Sequence, residues 1–315
     1  MGMGSGRVLD TETKKKFRLT FNVIRSFNAE GGHSETNGLT ADGQLIQVGS
    51  HWHHVSMSFS RFNLGFHYQL NSRTKLALVV PYSIKDQSAE IEWKTSKPSL
   101  TDQEAAIRNG YIHHRDETYR GFEDLNLTIN YYWNEFTPIK TDSLTLSAGL
   151  FLPTGKIEPD PYKLGDAGKE HLHLQFGTGT LTPSFQIIYT FPVNDSLSLQ
   201  SRFSFRRPLY ENKYDFLSPP DISFYFGMAS KLSNNLRLHG SWMVFRQGFG
   251  YWDGSRDENT GMQMHALQLG TNTKWGQNFP VNISVILPIH QRMLIDTGDT
   301  FEHGIMLSSS ISHVF

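Results

Sequence analysis

Histidine is the residue type in this sequence whose placement most directly suggests chemistry. The chain has 315 residues and 14 histidines, several of which fall close together in polar segments. The candidate metal ligands are His51, His53 and His54 in "HWHH", His113 and His114 in "IHHRDE", and His171 and His173 in "HLH". Neutral imidazole is a good ligand for zinc, copper or nickel. If the segments that carry these residues converge, the sequence predicts a metal site. If they do not, the histidines are ordinary residues of polar loops.

A second combination of reactive residues lies in "GGHSETNG", residues 31–38. His33 and Ser34, with Asn37 close by, could serve as the base, nucleophile and orienting group of a lipid hydrolase. Such a group works only when base and nucleophile lie within hydrogen-bond reach on ordered elements. The segment is rich in glycine, so we predict a flexible loop and a protein that is not an enzyme. Lipid hydrolysis through His33 and Ser34 is kept as the alternative.

The elements that must position these residues are β-strands, because the apolar residues recur with period two. Side chains two positions apart share a strand face. The chain ends on "LSSSISHVF", where Leu307, Ile311 and Phe315 alternate with Ser308 and other small polar residues. A phase change near Arg61 predicts a β-bulge. The predicted strands lie near 17–28, 53–70, 75–86, 119–133, 143–155, 171–193, 196–208, 219–232, 236–247, 261–275, 281–290 and 300–315.

The connections between these strands alternate strictly between short and long. Short turns such as "NSRT", "NDS" and "SNN" alternate with polar connections near 29–52, 87–118, 156–170, 209–218, 248–260 and 291–299. A transmembrane barrel has an even number of antiparallel strands, short periplasmic turns and longer outer loops. Most of the predicted strands also reach the roughly 9–11 residues needed to cross the hydrocarbon. The fold class predicted is therefore all-β, a transmembrane antiparallel β-barrel of about twelve strands in the bacterial outer membrane.

Aromatic residues lie where the girdle of such a barrel would meet the membrane interface. They close predicted strands beside the short turns, as girdle residues do. The residues in question are Tyr131, Tyr132, Trp133, Phe136, Phe191, Trp275 and Phe315. The terminal aromatic residue is therefore predicted to anchor the last strand at the periplasmic interface.

Composition excludes several other classes of protein. The net charge of −1 gives no basis for a nucleic-acid partner, and the absence of cysteine excludes disulfides and thiolate sites. The sequence contains no run of about 18 apolar residues, so no transmembrane helix is predicted. The opening "MGMGSG" has no apolar signal core, and we interpret it as an added leader. We predict a leader and periplasmic segment over 1–16 and a single barrel over 17–315.

The polar faces of the predicted strands would line the lumen. The charged residues on these faces are Arg18, Lys85, Asp124, Arg202, Arg206 and Arg237. They would set the polarity of a pore, as charged rings do, or they would pair with one another and plug it. Met243 and Phe245 fall on the same faces, and the strand that carries Tyr225 is apolar on both faces, so the barrel is predicted to be filled or lined in part by apolar side chains. A lumen of about twelve strands is narrower than that of 16–18-stranded porins.

Three segments resemble a known family of barrels. They are "GFEDLNLTINYYW" (Gly121–Trp133), "LSAGLFLPTGK" (Leu146–Lys156) and "LQFGTGTLTPSFQIIYTFPV" (Leu174–Val193). In this order they resemble the outer-membrane β-barrel family named for the MetA pathway of phenol degradation. The resemblance implies a barrel that passes small organic or aromatic compounds, and it carries over no catalytic residues.

These observations together predict a channel or transporter for a small solute that is aromatic or hydrophobic. The expected partners are outer-membrane lipid and lipopolysaccharide and the solute itself. The end of the chain also resembles that of bacterial outer-membrane proteins whose final aromatic residue is read by the barrel-assembly machinery, which implies this machinery as a further partner. No cofactor and no nucleic-acid partner are expected. A surface metal-binding or interaction barrel that uses the loop histidines is the remaining alternative.

Overall fold

The protein forms a closed antiparallel β-barrel in a computed structural model that describes residues 16–94, 98–138, 141–276 and 279–315. Fourteen strand segments make up the main sheet. Two pairs of these segments each act as one barrel strand, because β4 and β5 both pair with β3 and β16 and β17 both pair with β1. β1 also pairs with β2, which closes the cylinder. The predicted fold of twelve barrel strands is therefore confirmed.

The elements follow one another in chain order with these bounds. They are β1 (Phe17–Leu39), β2 (Leu45–Gln69), β3 (Thr74–Trp93), α1 (Leu100–His113), β4 (Glu117–Phe122), β5 (Leu125–Asn134), β6 (Ser143–Leu152), α2 (Pro161–Asp166), β7 (Thr182–Pro192), β8 (Leu197–Arg206), β9 (Phe216–Leu217), β10 (Asp221–Lys231), β11 (Leu236–Gln247), β12 (Gly250–Trp252), β13 (Ser255–Asp257), β14 (Met262–Trp275), β15 (Phe279–Met293), β16 (Thr300–Glu302) and β17 (Met306–Val314). Within the described residues, no helix is both long enough and apolar enough to cross a membrane.

The alternation along each strand separates an apolar outer face from an inner face. On β17, Leu307 is 43% exposed while its neighbour Ser308 is 3% exposed. On β14, Leu269 is 56% exposed and Gln268 is 2% exposed. Large apolar side chains thus face outward along the barrel wall, which is stable only where hydrocarbon rather than water covers that wall. The predicted alternation of the last strand is confirmed.

The long connections gather at one end of the barrel, which we call the mouth. Both chain ends of the barrel, Phe17 and Phe315, lie at the opposite end, where the Phe315 amide donates to the Phe17 carbonyl oxygen over 2.8 Å. Helix α1 lies in the connection between β3 and β4, and α2 in the one between β6 and β7. At the mouth, β9, β12 and β13 form a second, three-stranded sheet.

The girdle prediction fits the exposed aromatic residues at the turn end, with one correction. Trp133, Trp275 and Phe315 are 46%, 73% and 59% exposed. Tyr132 instead takes the opposite strand parity from Tyr131 and Trp133, and the Lys75 ammonium lies 5.7 Å from its ring centroid. Tyr132 faces inward because successive residues of a strand face opposite sides.

Two predicted strand limits and the predicted bulge are wrong. The connection predicted over 29–52 is a hairpin, since β1 and β2 remain paired, with interruptions in register, as far as Leu39 and Leu45. The predicted strand 171–193 begins only at Thr182, and the residues before it are irregular. The pairing of β1 with β2 shifts register twice, between Ser26 and Ala29 and between Glu35 and Asn37, and neither shift lies at Arg61.

The phase change near Arg61 has a different physical cause from a bulge. Toward the turn end, β2 carries apolar residues such as Phe66 on its outer face, where they are 46% exposed. Toward the mouth, its apolar residue Phe59 packs inward against a cluster of buried apolar side chains inside the barrel. The apolar side of β2 therefore switches faces while its pairing with β3 stays in register.

The predicted division at residue 16 falls almost wholly outside the described residues, because residues 1–15 are not among them. The leader and the periplasmic N-terminal segment remain predictions. The described barrel begins at Phe17, the residue at which the predicted barrel begins.

Candidate functional site

The inner side of the barrel is polar near the turn end. Asn22 donates to Ser308 and accepts from Asn63, and Asn282 donates to Asn272. Gln268 donates to Ser284 over 2.9 Å. These amide and hydroxyl groups satisfy one another across neighbouring strands, which lowers the cost of burying them inside the barrel.

Nearer the mouth, one wall of the interior is apolar. Its buried residues come from five adjacent barrel strands, β10, β11, β14, β15 and β17, and they pack into a single cluster. They are Tyr225, Met243, Phe245, Met262, Met264, Ala266, Ile286 and Met306. Several are methionines, whose flexible thioether side chains adapt to irregular apolar shapes. Tyr225, Met243 and Phe245 are buried in this cluster, so the apolar side chains predicted inside the barrel do lie there.

Each of the six charged residues predicted to line the lumen has a contact or a strand partner in the structure. Lys85 donates to the Gln175 carbonyl oxygen over 3.0 Å, and Arg206 pairs with Asp221. The Arg202 guanidinium lies 5.3 Å from the centroid of the Tyr225 ring. The remaining three are Arg18 opposite His67, Arg237 opposite Lys231, and Asp124 at the junction described next. Their influence on a solute remains a prediction.

Asp124 joins the three segments on which the family resemblance rests. Its carboxylate accepts from the Gly155 amide over 2.9 Å, and from the Thr178 amide and hydroxyl over 2.8 Å each. Asp124 immediately precedes β5, Gly155 ends "LPTG", and Thr178 is the centre of "GTG". The Asp124 junction therefore fixes both ends of the connection between β6 and β7 to the barrel wall.

Glycine is required at this junction because backbone and carboxylate approach closely. A Cβ added at Gly177 would lie 2.5 Å from Asp124 Oδ1 and 2.8 Å from Gly155 Cα. The close approach brings Phe176 against the wall, where the Lys85 ammonium lies 4.6 Å from its ring centroid. The connection between β6 and β7 thus packs against the inner wall.

A second candidate site, the histidine cluster, lies at the mouth. One ligating atom from each of His33, His53, His113 and His114 can be chosen so that all lie within 4.8 Å of one another. His33 and His53 are directly opposite on β1 and β2, while His113 and His114 end α1. Helix α1 is fixed against the hairpin because Arg108 donates to the Leu39 carbonyl oxygen.

Three further histidines surround these four. The His51 and His53 Nε2 atoms are 3.0 Å apart. The ring centroids of His113 and His171 are 5.6 Å apart, and those of His114 and His173 are 5.4 Å apart. Six of the seven candidate metal ligands thus lie together, and the condition of converging segments is met. Metal binding itself remains a prediction.

His54 is the candidate that lies elsewhere. Its neighbour His53 is 1% exposed, whereas the His54 side chain is half exposed and its Nε2 lies 2.7 Å from Glu92 Oε2. Successive residues of a strand face opposite sides, so His54 turns away from the cluster. "HWHH" alone does not show which histidine faces inward.

The same rule separates His33 from Ser34. The Ser34 hydroxyl accepts from Lys94 Nζ over 3.1 Å, whereas His33 Nδ1 lies 3.0 Å from Asp299 Oδ1. The two side chains leave opposite faces of an ordered strand, so they are not arranged as nucleophile and base. The predicted flexible loop at this segment is wrong, and the observed geometry does not support the hydrolase alternative.

Burial keeps most imidazoles of the cluster neutral. It lowers the pKa of His53 to about 3, with His33 and His51 adding repulsion, and the pKa of His173 to about 4. Burial likewise lowers the pKa of His113 and His114. For His33, burial acts in the same direction, but the hydrogen bond and charge of Asp299 outweigh it and raise the pKa.

Sequence reasoning missed two members of this site. His33 is considered above as a hydrolase base and is not among the predicted metal ligands, and Asp299 is not among them either. The signal that could have found His33 is the hairpin itself. Once β1 and β2 are paired through their full length, His33 falls opposite His53. Asp299 reaches the cluster from the distant connection between β15 and β16, which no local pattern reveals.

Comparison with known proteins supports the fold. No family model matches the chain, and no curated protein matches it significantly. The COG4313 outer membrane channel from Pseudomonas putida F1 superposes with a TM-score of 0.64 at 12% identity, covering 96% of this chain and 97% of that chain. The P. putida toluene transporter TodX gives a TM-score of 0.45 at 8% identity, covering 96% and 91%. The first of these likenesses shows a shared fold, so the resemblance to a barrel family is confirmed at the level of fold.

Proposed function

We propose that the protein is an outer-membrane channel for a small apolar solute. The observation that carries the proposal is the apolar wall inside a barrel whose outer face is also apolar. A water-filled porin has a polar interior. A barrel interior that buries methionine and aromatic side chains instead favours contact with an apolar solute over contact with water.

The shared fold adds support of a limited kind. The protein with a TM-score of 0.64 is described as an outer membrane channel. Placing this chain in the same membrane accounts for the outward-facing Leu, Ile and Phe side chains, which would be unfavourable in water. Contact with membrane lipid follows from that face, while contact with lipopolysaccharide and with the barrel-assembly machinery is part of the proposal.

The test replaces a small side chain of the apolar wall with a larger one. Ala266 has 0% exposure and lies opposite Met243 on β11, so Ala266→Phe would project a ring into the interior. Overpacking of this kind costs about 1–3 kcal/mol, which a folded barrel tolerates. The matched control is Leu267→Phe, because Leu267 is the next residue and faces outward with 40% exposure.

The assay is uptake of a labelled monoaromatic compound by whole cells that express the protein. Apolar compounds cross phospholipid vesicles unaided, so the lipopolysaccharide leaflet of intact cells is needed as the barrier. We expect uptake above the empty-vector rate for the unchanged protein and for Leu267→Phe, and a several-fold lower rate for Ala266→Phe. Equal uptake by the two variants at equal surface amounts would refute the proposed route.

A further inference from the structure

The four imidazoles at the mouth come from segments distant in sequence. His33 lies on β1, His53 on β2, and His113 and His114 at the end of α1. Their selected nitrogens are within 4.8 Å of one another, a spacing at which one ion can contact several ligands after small side-chain rotations. Neither strand pairing nor helix packing requires histidine at these positions.

The tautomer of His53 follows from a chain of hydrogen bonds. His51 Nδ1 donates to the Gly49 carbonyl oxygen over 2.9 Å, which leaves a lone pair on His51 Nε2. His53 Nε2 must therefore carry the proton that it donates to His51 Nε2 over 3.0 Å. The lone pair of His53 is thereby placed on Nδ1, which is buried and has no hydrogen-bond partner among the described residues.

His33 also has one ring nitrogen directed at a neighbouring group. Its Nδ1 faces Asp299 Oδ1 over 3.0 Å, so Nε2 is the nitrogen left to bind another group. Imidazoles that bind metals usually donate their other N–H to a carboxylate or a carbonyl oxygen, which fixes the ring and its tautomer. His114 Nε2 is also buried without a hydrogen-bond partner in the described chain.

The backbone supports the close approach of these rings. A Cβ added at Gly32 would lie 2.0 Å from the His53 carbonyl oxygen, so only glycine fits beside His33 at this point of the hairpin. On the other side, Gly110 of α1 has His53 Cε1 among its nearest neighbours, 3.8 Å from an added Cβ. The helix and the hairpin therefore contact each other at His53.

We propose that His33, His53, His113 and His114 bind one divalent transition-metal ion of the zinc class, oriented by Asp299 and His51. Four neutral imidazoles suit Zn²⁺, Ni²⁺ or Cu²⁺ and not Mg²⁺ or Ca²⁺, which require oxygen ligands. The bound ion gives the buried Nδ1 of His53 and the buried Nε2 of His114 a partner. It also fastens α1 to the β1–β2 hairpin over the mouth.

The test measures Zn²⁺ binding to the purified full-length barrel prepared without a polyhistidine tag. Isothermal titration gives the stoichiometry and affinity, and Co²⁺ as a substitute gives visible absorption bands that report tetrahedral nitrogen ligation. The variants are His53→Gln on the strand and His114→Gln at the helix end. The matched control is His54→Gln, because His54 lies on the same strand and faces away from the cluster.

We expect one equivalent of Zn²⁺ per chain for the unchanged protein and for His54→Gln, and loss of that equivalent in both His53→Gln and His114→Gln. Asp299→Asn should weaken Zn²⁺ binding by about 10–100-fold and shift the Co²⁺ bands. Heat-modifiable migration on gels verifies that each variant is a folded barrel. Absence of stoichiometric binding by the unchanged protein would overturn the site, as would binding undiminished in either His53→Gln or His114→Gln.

Discussion

Removal of the Asp124 carboxylate should release the connection between β6 and β7 from the barrel wall. Asp124 accepts three hydrogen bonds, one from Gly155 and two from Thr178, and it is 6% exposed. In Asp124→Ala the two amides and the hydroxyl lose their acceptor. The barrel strands do not depend on these bonds, so the effect should be confined to the connection over residues 153–181.

The expected magnitude follows from the charge on the acceptor. Hydrogen bonds to a charged group contribute about 1.5–3 kcal/mol each, and bonds that share one carboxylate are not additive. A combined loss of about 4 kcal/mol is therefore reasonable, which corresponds to an increase of about a thousandfold in the population of the released connection. Asp124→Asn should have a smaller effect because one amide oxygen still accepts a hydrogen bond.

Hydrogen–deuterium exchange followed by mass spectrometry measures this population directly, because amide protection reports local opening. Peptides over 153–181 should exchange about a hundred- to a thousandfold faster in Asp124→Ala, while peptides of β10 to β15 remain unchanged. The matched control is Asp166→Ala, since Asp166 is an exposed carboxylate in the same connection. Unchanged protection of 153–181 in Asp124→Ala would refute the anchoring role of the junction.

Three further predictions concern the membrane face, the last residue and a buried carboxyl group. Leu269→Arg places a charge in the middle of the outer face and should lower the free energy of unfolding in lipid vesicles, measured by urea titration, by about 2–4 kcal/mol. Leu236→Arg, at the turn end of the barrel, should lower it by about 1 kcal/mol or less. Equal losses would contradict this position of the barrel in the membrane. Phe315→Ser should reduce the amount of barrel assembled in cells much more than the yield of refolding in detergent, measured by heat-modifiable migration; equal reductions would argue against recognition of the final aromatic residue. Burial raises the pKa of Asp257, which accepts from the Tyr162 hydroxyl, so its charge disfavours the fold at neutral pH. Asp257→Asn should protect α2 from exchange more than the unchanged protein does at pH 8, and this gain should shrink as the pH falls through the raised pKa and vanish below the ordinary pKa of aspartate.

The barrel could be predicted because its determinants are local. Alternation with period two and the alternation of short and long connections are properties of the sequence, and closure of the sheet follows from the need to pair both edges in lipid. The inward placement of Met243 and Phe245 also followed from parity alone. The local pattern does not show where the outer surface leaves the membrane. The sequence therefore predicts a loop where β1 and β2 continue as strands.

The sites depended on contacts between distant segments. The segments that carry the Asp124 junction were recognised by resemblance, but nothing in them shows that one carboxylate joins all three. The histidines were recognised by type, and their convergence was stated only as a condition. Which face each histidine takes depends on the register of β1 against β2, and the contribution of Asp299 depends on a connection more than two hundred residues away from His33.

Selective passage of an apolar solute is the central claim, and a comparison of two solutes in one assay tests it most directly. Cells that express the protein would be supplied with a labelled neutral aromatic compound and with a polar, uncharged compound of similar size, each measured against empty-vector cells. We expect faster entry of the aromatic compound and little or no gain for the polar one. Equal gains for both compounds would indicate a water-filled pore, and no gain for the aromatic compound would contradict passage of apolar solutes through this barrel.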